Sequence, residues 1–449
     1  MKRLPIIFAM LLVPAAAALA AQHFAFPQFT SGYQMPPTET PAPRAGFYDY
    51  LDVAALLVAL AAASYLAIRS RSRRGLWVLA LLSLLYFGFW RAGCICSIGA
   101  IQNVTLSLFD SGYVVPAAVV VFLLAPLAAA LLFGRTFCAS VCPLGTIQDL
   151  TLIRPVKVPA PLQHGLGLLA YVYLGAAVLF AATGSAFIIC DYDPFVSFFR
   201  LMPFFRPVDT MDALAGSTDM LLWGAALLAV GLFIGRPYCR FMCPLGAIFR
   251  IISQVSRWRA EIAPDRCVRC RNCADACPYG AILAPTPTQA EGAPPSQKGR
   301  FGRPGRLAAL AVVAAALVGL LGWFGSALAV PFARMDYLVQ QAERVRLEEL
   351  GQVTGTVDLS DAFYGTRRPR EELYAEARAV QSRFVLGGGL LGAWVGLVIG
   401  VKLIHLSVRR SRTGYETDPA GCVACGRCFE ACPVHRQRLQ ATTSKAAPS

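Results

Sequence analysis

The sequence predicts an all-α polytopic membrane protein of about seven to eight transmembrane helices with an internal two-fold repeat, carrying a small cysteine-rich module on one face. Three observations support this. The 449 residues are 56% hydrophobic and only 15% charged, with a mean hydropathy of +0.54, too apolar for an ordinary soluble chain. Apolar runs of about 16 to 23 residues, long enough to cross a bilayer, recur along the chain. A motif opening Gly-Arg and closing Cys-Pro-Leu-Gly occurs twice, 101 residues apart.

In chain order, residues 1–21 read as a signal peptide or anchor helix, with a basic start (Lys2, Arg3), an apolar run and the small-x-small signal Ala18-Leu19-Ala20. Residues 22–49 form a Pro-rich outer segment, and 50–258 the membrane core, with spans at 51–68, 75–90, 113–133, 166–187 and 218–234. Residues 259–283 are the first half of the cysteine-rich module. The Pro- and Gly-rich stretch 284–305 reads as a flexible linker. A transmembrane helix at 306–330 and another at 385–406 flank an outer loop, 331–384, with helical periodicity around 336–350 and 369–383 and a Gly/Thr-rich turn between. Residues 407–440 complete the module, and 441–449 are a disordered tail.

Charge orients these spans. The inner segments hold 28 Lys and Arg against 4 in the short outer loops (Arg44, Arg91, Arg200 and Arg206), which places the C-terminus inside. The long outer loop holds 8 basic and 9 acidic residues and obeys the rule weakly. The net charge of +15 therefore belongs mainly to the inner face, as positive-inside bias with attraction to anionic lipid, or as a docking surface for an acidic electron carrier. Nothing points to nucleic acid.

Eight of the 15 cysteines form two copies of C-x2-C-x2-C-x3-C-P: Cys267, Cys270, Cys273, Cys277 and Cys422, Cys425, Cys428, Cys432. This spacing wraps a [4Fe-4S] cluster in three thiolates and sends the fourth cysteine to a second cluster, so the pair reads as a two-cluster ferredoxin module. The motifs are 144 residues apart with two spans between them. Two is an even number, so both copies return to the inner face. Cys277 is then expected at the cluster of Cys422, Cys425 and Cys428, and Cys432 at the other.

The repeat supplies Cys138 and Cys142 from Gly134 to Ile147, and Cys239 and Cys243 from Gly235 to Ile248, each at the inner end of a span. Four converging thiols suit a metal or iron-sulfur centre; thiol redox chemistry and inert packing are the alternatives. The last three cysteines, Cys94, Cys96 and Cys190, follow the outer ends of spans. With Asp191 or Asp193 they read as a metal site, or as one disulfide with a spare thiol.

Paired Cys-x3-Cys-Pro-Leu-Gly motifs followed by C-x2-C-x2-C-x3-C-P motifs resemble the NosR/NapH-type membrane polyferredoxins, relatives of CcoG, over roughly residues 75–283 and 415–435. The resemblance implies an inner-membrane protein that passes electrons through [4Fe-4S] clusters to periplasmic reductases or their accessory systems. It implies cluster ligation by the eight ferredoxin cysteines and a redox or structural role for Cys138, Cys142, Cys239 and Cys243. NosR-like members carry a large N-terminal flavin domain where only residues 22–49 stand here. The faint flavin signal at Asp212 to Thr218 reads as an ordinary helix start rather than an FMN site. His164 and His405 lie near inner boundaries, but no Cys-x-x-Cys-His run exists for covalent haem.

The expected function is electron transfer between a cytoplasmic or quinone donor and a periplasmic redox protein. The protein would serve as an electron-transfer component, such as a quinol dehydrogenase subunit, rather than a stand-alone enzyme. The alternatives are a metal-handling or redox assembly factor for a metalloenzyme, whose thiols would bind copper, and a membrane anchor in which clusters hold a partner. No catalytic dyad or phosphate loop is visible.

Overall fold

The computed structural model describes residues 46–91, 93, 96–194, 198–199, 218–262, 267–286, 304–366, 368–408, 412, 414–435 and 437. The N-terminal segment 1–21, most of the Pro-rich stretch 22–49, Cys94, Asp212 to Ser217, most of the linker 284–305 and the tail lie outside them.

The described chain is mostly helical. Four helices are long and apolar enough to cross a membrane: α1 (Phe47–Arg69), α7 (Ala160–Thr183), α13 (Gly305–Ala327) and α17 (Arg370–Ser407). The expected spans at 75–90, 113–133 and 218–234 fall on shorter helical stretches: α2 (Arg73–Ser83, continuing as a π-helical turn Leu84–Trp90), α4 (Ala117–Phe133) and α9 (Thr218–Gly231). Between the π-helical turn and α4 lies α3 (Gly99–Phe109), which packs on α7. Asp52, 1% exposed on α1, pairs with Arg91 at 3.0 Å and accepts from the Tyr86 hydroxyl at 2.7 Å, tying α1 to the end of α2. A carboxylate in an apolar bundle is tolerated only when satisfied in this way.

Each copy of the repeat folds as two short helices after an apolar helix. The first is α5 (Thr136–Ser140) with α6 (Pro143–Leu150), and the second is α10 (Pro237–Phe241) with α11 (Pro244–Ile252). Cys142 and Cys243 stand at the N-caps of α6 and α11 with proline following at the first helical position, where its missing N–H costs nothing. The chain then turns at α8 (Ile188–Asp191) in the first half.

The segment 331–384 differs from expectation. α14 (Ala329–Ala333), α15 (Tyr337–Glu349) and α16 (Asp358–Thr366) build a cap. The second expected piece, 369–383, is not separate from the span 385–406: both are one 38-residue helix, α17. The glycines at 387–389 lie within it, Gly388 and Gly389 against α13 and Gly387 against Leu179 of α7. A Cβ at Gly392 would strike the Leu321 carbonyl oxygen of that neighbour, which is the close backbone approach small residues permit between membrane helices. α17 also rests on α7, where the Trp394 indole donates to the Tyr171 carbonyl at 3.0 Å.

The two ends of this helix pair meet. β1 (Ile282–Leu283) pairs antiparallel with β2 (Glu416–Thr417), Ile282 opposite Thr417 and Leu283 opposite Glu416. α12 (Asn272–Ala276) and α18 (Arg427–Ala431) pack together beside them.

Candidate functional site

The two ferredoxin-type motifs cross over in space. Cys277 lines one pocket with Cys422, Cys425 and Cys428. Cys432 lines another with Cys267, Cys270 and Cys273. This is the exchange of fourth cysteines that the spacing predicts.

The backbone around the two sites is shaped alike. In the first motif Arg269 and Arg271 have φ of +54° and +67°; at the equivalent places in the second, Ala424 and Gly426 have +55° and +78°. Left-handed residues spaced this way turn successive N–H groups into one concavity, an arrangement that binds anions and sulfur clusters. The Ala424 N–H donates to the Cys422 sulfur at 3.4 Å. Holding non-glycine residues there costs about 1–3 kcal/mol each, a strain that persists only where the surrounding structure over-determines it.

Burial pushes the Cys422 thiol up to about 12, and burial pushes Cys273 up to about 11. A metal centre therefore has to displace protons on entry. Among the described residues no three Cys, His, Asp or Glu side chains are drawn together tightly enough to grip one bare ion. A cubane spreads its four thiolates wider than a single ion does, and the donor sets, left-handed loops and N–H···S contacts suit a [4Fe-4S] cluster.

The repeat cysteines form the next site inward. Cys142, Cys239 and Cys243 are buried in the main apolar core with Leu56, Phe87 and Phe122, and Cys138 packs against that core. Cys138 also packs against the Cys277 site, in contact with the group of Tyr279, Cys422 and Cys425. The two sulfur sites are thus neighbours. The Gly246 N–H donates to the Cys243 sulfur at 3.3 Å, and Gln148 Nε2 donates to the Cys239 sulfur at 3.2 Å. Burial, opposed by Arg236, still leaves the Cys239 thiol up at about 11. Donors aimed at sulfur favour the thiolate and a bound cluster.

A buried polar cluster joins the two sites. Asp149 on α6 accepts from Arg236 Nη2 at 2.6 Å and from the Tyr279 hydroxyl at 2.7 Å. Burial alone would raise the Asp149 carboxyl, but the Arg236 guanidinium and these hydrogen bonds hold it below the usual carboxylate range. Arg236 also donates to the Cys138 carbonyl and lies over the Tyr279 ring. Its equivalent in the first repeat, Arg135, donates to the Ala420 carbonyl at 2.9 Å. The Ser253 hydroxyl donates to the Pro419 carbonyl at 2.9 Å, which adds to the docking of the cysteine-rich module on the bundle, and the Thr417 hydroxyl donates to the Ala260 carbonyl at 3.1 Å, which ties the two halves of the module.

On the other side of the core, Cys96, Asp193 and Cys142 line one pocket with Phe87, Phe122 and Phe199. Cys96 also lies within electrostatic reach of Cys190, whose sulfur sits beside Gly99. Tyr238, fully buried, lies within reach of Cys243 on one side and Cys96 and Asp193 on the other. Cys96 and the repeat cysteine Cys142 thus face one pocket. Cys94 lies outside the described residues, and the side chain of Asp191 is not described.

Sequence reasoning missed Arg135, Arg236, Gln148, Asp149 and Tyr279. The arginines were legible as the same residue at the same place in both repeats. Gln148, Asp149 and Tyr279 have no such signal.

Comparison with known proteins agrees with this chemistry. A 4Fe-4S binding domain matches residues 115–161 and 217–262, and a second 4Fe-4S binding domain matches 260–283. Protein NirI of Paracoccus denitrificans is 32% identical over 34% of this chain and 22% of its own. The putative electron transport protein YccM of Escherichia coli is 27% identical over 36% and 47%, and the regulatory protein NosR of Pseudomonas aeruginosa 31% over 34% and 22%. The chain thus spans about a fifth of NirI and NosR and about half of YccM. No solved structure matches it. Four helices long and apolar enough to cross a membrane and the matched 4Fe-4S binding domains together mark an iron-sulfur protein of membrane type. The chain is similar to NirI, YccM and NosR over about a third of its length.

Proposed function

We propose that this protein is a membrane electron conduit of the inner membrane, with its ferredoxin module cytoplasmic, linking a cytoplasmic carrier or membrane quinol to a redox protein on the outer face. The exchange of Cys277 and Cys432 between the motifs carries this reading, because it yields two complete four-cysteine sites with the repeat cysteines beside one of them. Cys267, Cys270, Cys273 and Cys432 would hold the distal cluster, and Cys422, Cys425, Cys428 and Cys277 the proximal one. Cys138, Cys142, Cys239 and Cys243 would hold a further centre.

A [4Fe-4S] cluster supplies a reversible one-electron couple when bound. The residues of the chain do the rest. The left-handed loops and Gln148 aim N–H donors at sulfur, the apolar core excludes water from the repeat cysteines, and the Asp149–Arg236–Tyr279 cluster holds the module against the bundle. Clusters held by these cysteines would exchange single electrons with one another, with no bond made or broken. Cys96, Cys190 and Asp193 would mark the outer end of the path, supported by the pocket that Cys96 and Asp193 share with Cys142.

Anaerobic purification followed by iron and acid-labile sulfide counts with EPR tests this. About eight irons per chain are expected from two clusters, and about twelve if the repeat cysteines hold a third. Fewer than four in intact protein would sink the proposal. Copper bound stoichiometrically and lost on Cys96→Ser would instead favour the metal-handling reading.

A further inference from the structure

Between the proximal site and the repeat cysteines stands a buried cation without a carboxylate. Arg135 is 4% exposed, its Nε has no hydrogen-bond partner, and its Nη1 donates to a neutral carbonyl, that of Ala420. Among the described residues no carboxylate lies within ion-pair distance of it. A guanidinium buried in this way costs several kcal/mol unless an anion faces it. Its counterpart in the second repeat, Arg236, is in the same kind of place but is neutralised by Asp149 at 2.6 Å. The asymmetry is specific to the first repeat.

The surroundings say which anion is missing. Arg135 lines one pocket with Cys422 and Ala424, the residues of the proximal loop. It is also within electrostatic reach of Cys239 and Cys243, on the repeat side, and of Cys422. A cubane carrying four cysteine thiolates is a net anion in each of its usual states, so a centre on either side of Arg135 would satisfy it. Three further cations crowd the same region: Arg240, 9% exposed and with an unpartnered Nη1, Arg250 beside it, and Lys402. Asp418 is the carboxylate that faces Arg250 and Lys402. Arg240 is also within reach of Cys277. The buried positive charge here exceeds the buried negative charge that the described residues supply.

We propose that Arg135 is the shared counter-charge of the proximal cluster and the repeat-cysteine centre, raising the potential of both relative to the distal cluster and so biasing electrons inward from the module to the membrane. A positive charge stabilises the reduced, more negative form of a cluster, so a centre facing it accepts electrons more readily. The distal site, held by Cys267, Cys270, Cys273 and Cys432 on the far side of the module, lies outside its reach among the interactions observed. This inference rests on the reading that clusters occupy these sites.

The test is potentiometric EPR titration of the anaerobically purified full chain, with Cys270→Ser used to assign the distal signal. Arg135→Gln is expected to lower the midpoint potential of the proximal centre, and of the repeat centre where it is loaded, by at least a tenfold change in the reduction equilibrium, about 59 mV for one electron, with the distal centre unmoved. Arg135→Lys, which keeps the charge, is expected to stay with the native protein. Asp149→Asn, nearly isosteric, frees the Arg236 charge and is expected to move the same centres the opposite way, upward. Unmoved potentials in fully loaded Arg135→Gln, or an equal shift of all three centres, would overturn the proposal. Loss of iron from Arg135→Gln that Arg135→Lys does not share would support it, and loss common to both would count against it. Native protein with fewer than four irons would fail the cluster reading itself, whereas native loading with unmoved variants fails only this inference.

Discussion

Arg236 shows how much a single residue does here. Its φ of +51° places it in the left-handed region just before Pro237, a conformation that costs a non-glycine residue about 1–2 kcal/mol. The surrounding bonds hold it there, to Asp149, to the Cys138 carbonyl and over the Tyr279 ring. Arg236→Met would leave Asp149 buried without its cation, and the detergent-solubilised protein is expected to lose about 3–5 kcal/mol of stability, read as a lower melting temperature. The sign of the pH dependence follows from the lowered Asp149 carboxyl. Its stabilisation is complete above the ordinary carboxylate value of about 4 and is lost as pH falls through the lower folded value. Acid should therefore narrow the difference between native and Arg236→Met melting temperatures; a difference that stays constant down to pH 3 would show that the pair is not the source.

Among the elements, α13 and α17 are the pair that decides assembly. They carry the chain away from the first cysteine motif and back to the second, and they pack through glycine, backbone against backbone. Gly392→Leu has no room beside Leu321 and is expected to splay the pair. Because β1 and β2 lie at the two ends of this excursion, the expected outcome is lost iron at both ferredoxin-type sites in otherwise membrane-inserted protein, measured by iron count against membrane yield. Full iron content in that variant would show that the β1–β2 pairing and the docking bonds suffice without the helix pair. The existence of both helices was legible from their apolar runs, whereas the continuity of α17 from Arg370 was not. Polar residues at 370–383 read as an outer loop because composition changes at the membrane edge, while the backbone hydrogen-bond ladder runs on regardless.

At the scale of the molecule, sulfur sites follow one another from the module through the core toward Cys96. The crossed pairing of the motifs makes a sharp test. Cys277→Ser, although in the first motif, is expected to change the EPR signal that Cys425→Ser changes and to leave the one that Cys270→Ser changes. A match to Cys270→Ser would mean that each motif keeps its own fourth cysteine.

The sequence by itself determined the chemistry of the cysteines: a C-x2-C-x2-C spacing is local, so the loop that can wrap a cluster is written in a few adjacent residues. It also determined the membrane character, which is a matter of composition and run length. Only the tertiary structure decided that Cys138 stands against the Cys277 site, that Cys96 and Cys142 share a pocket, and that Arg135 is buried without a carboxylate while Arg236 has one. Proximity and desolvation depend on which distant segments close on each other, and a charge acquires its energetic meaning only when its burial and its neighbours are known.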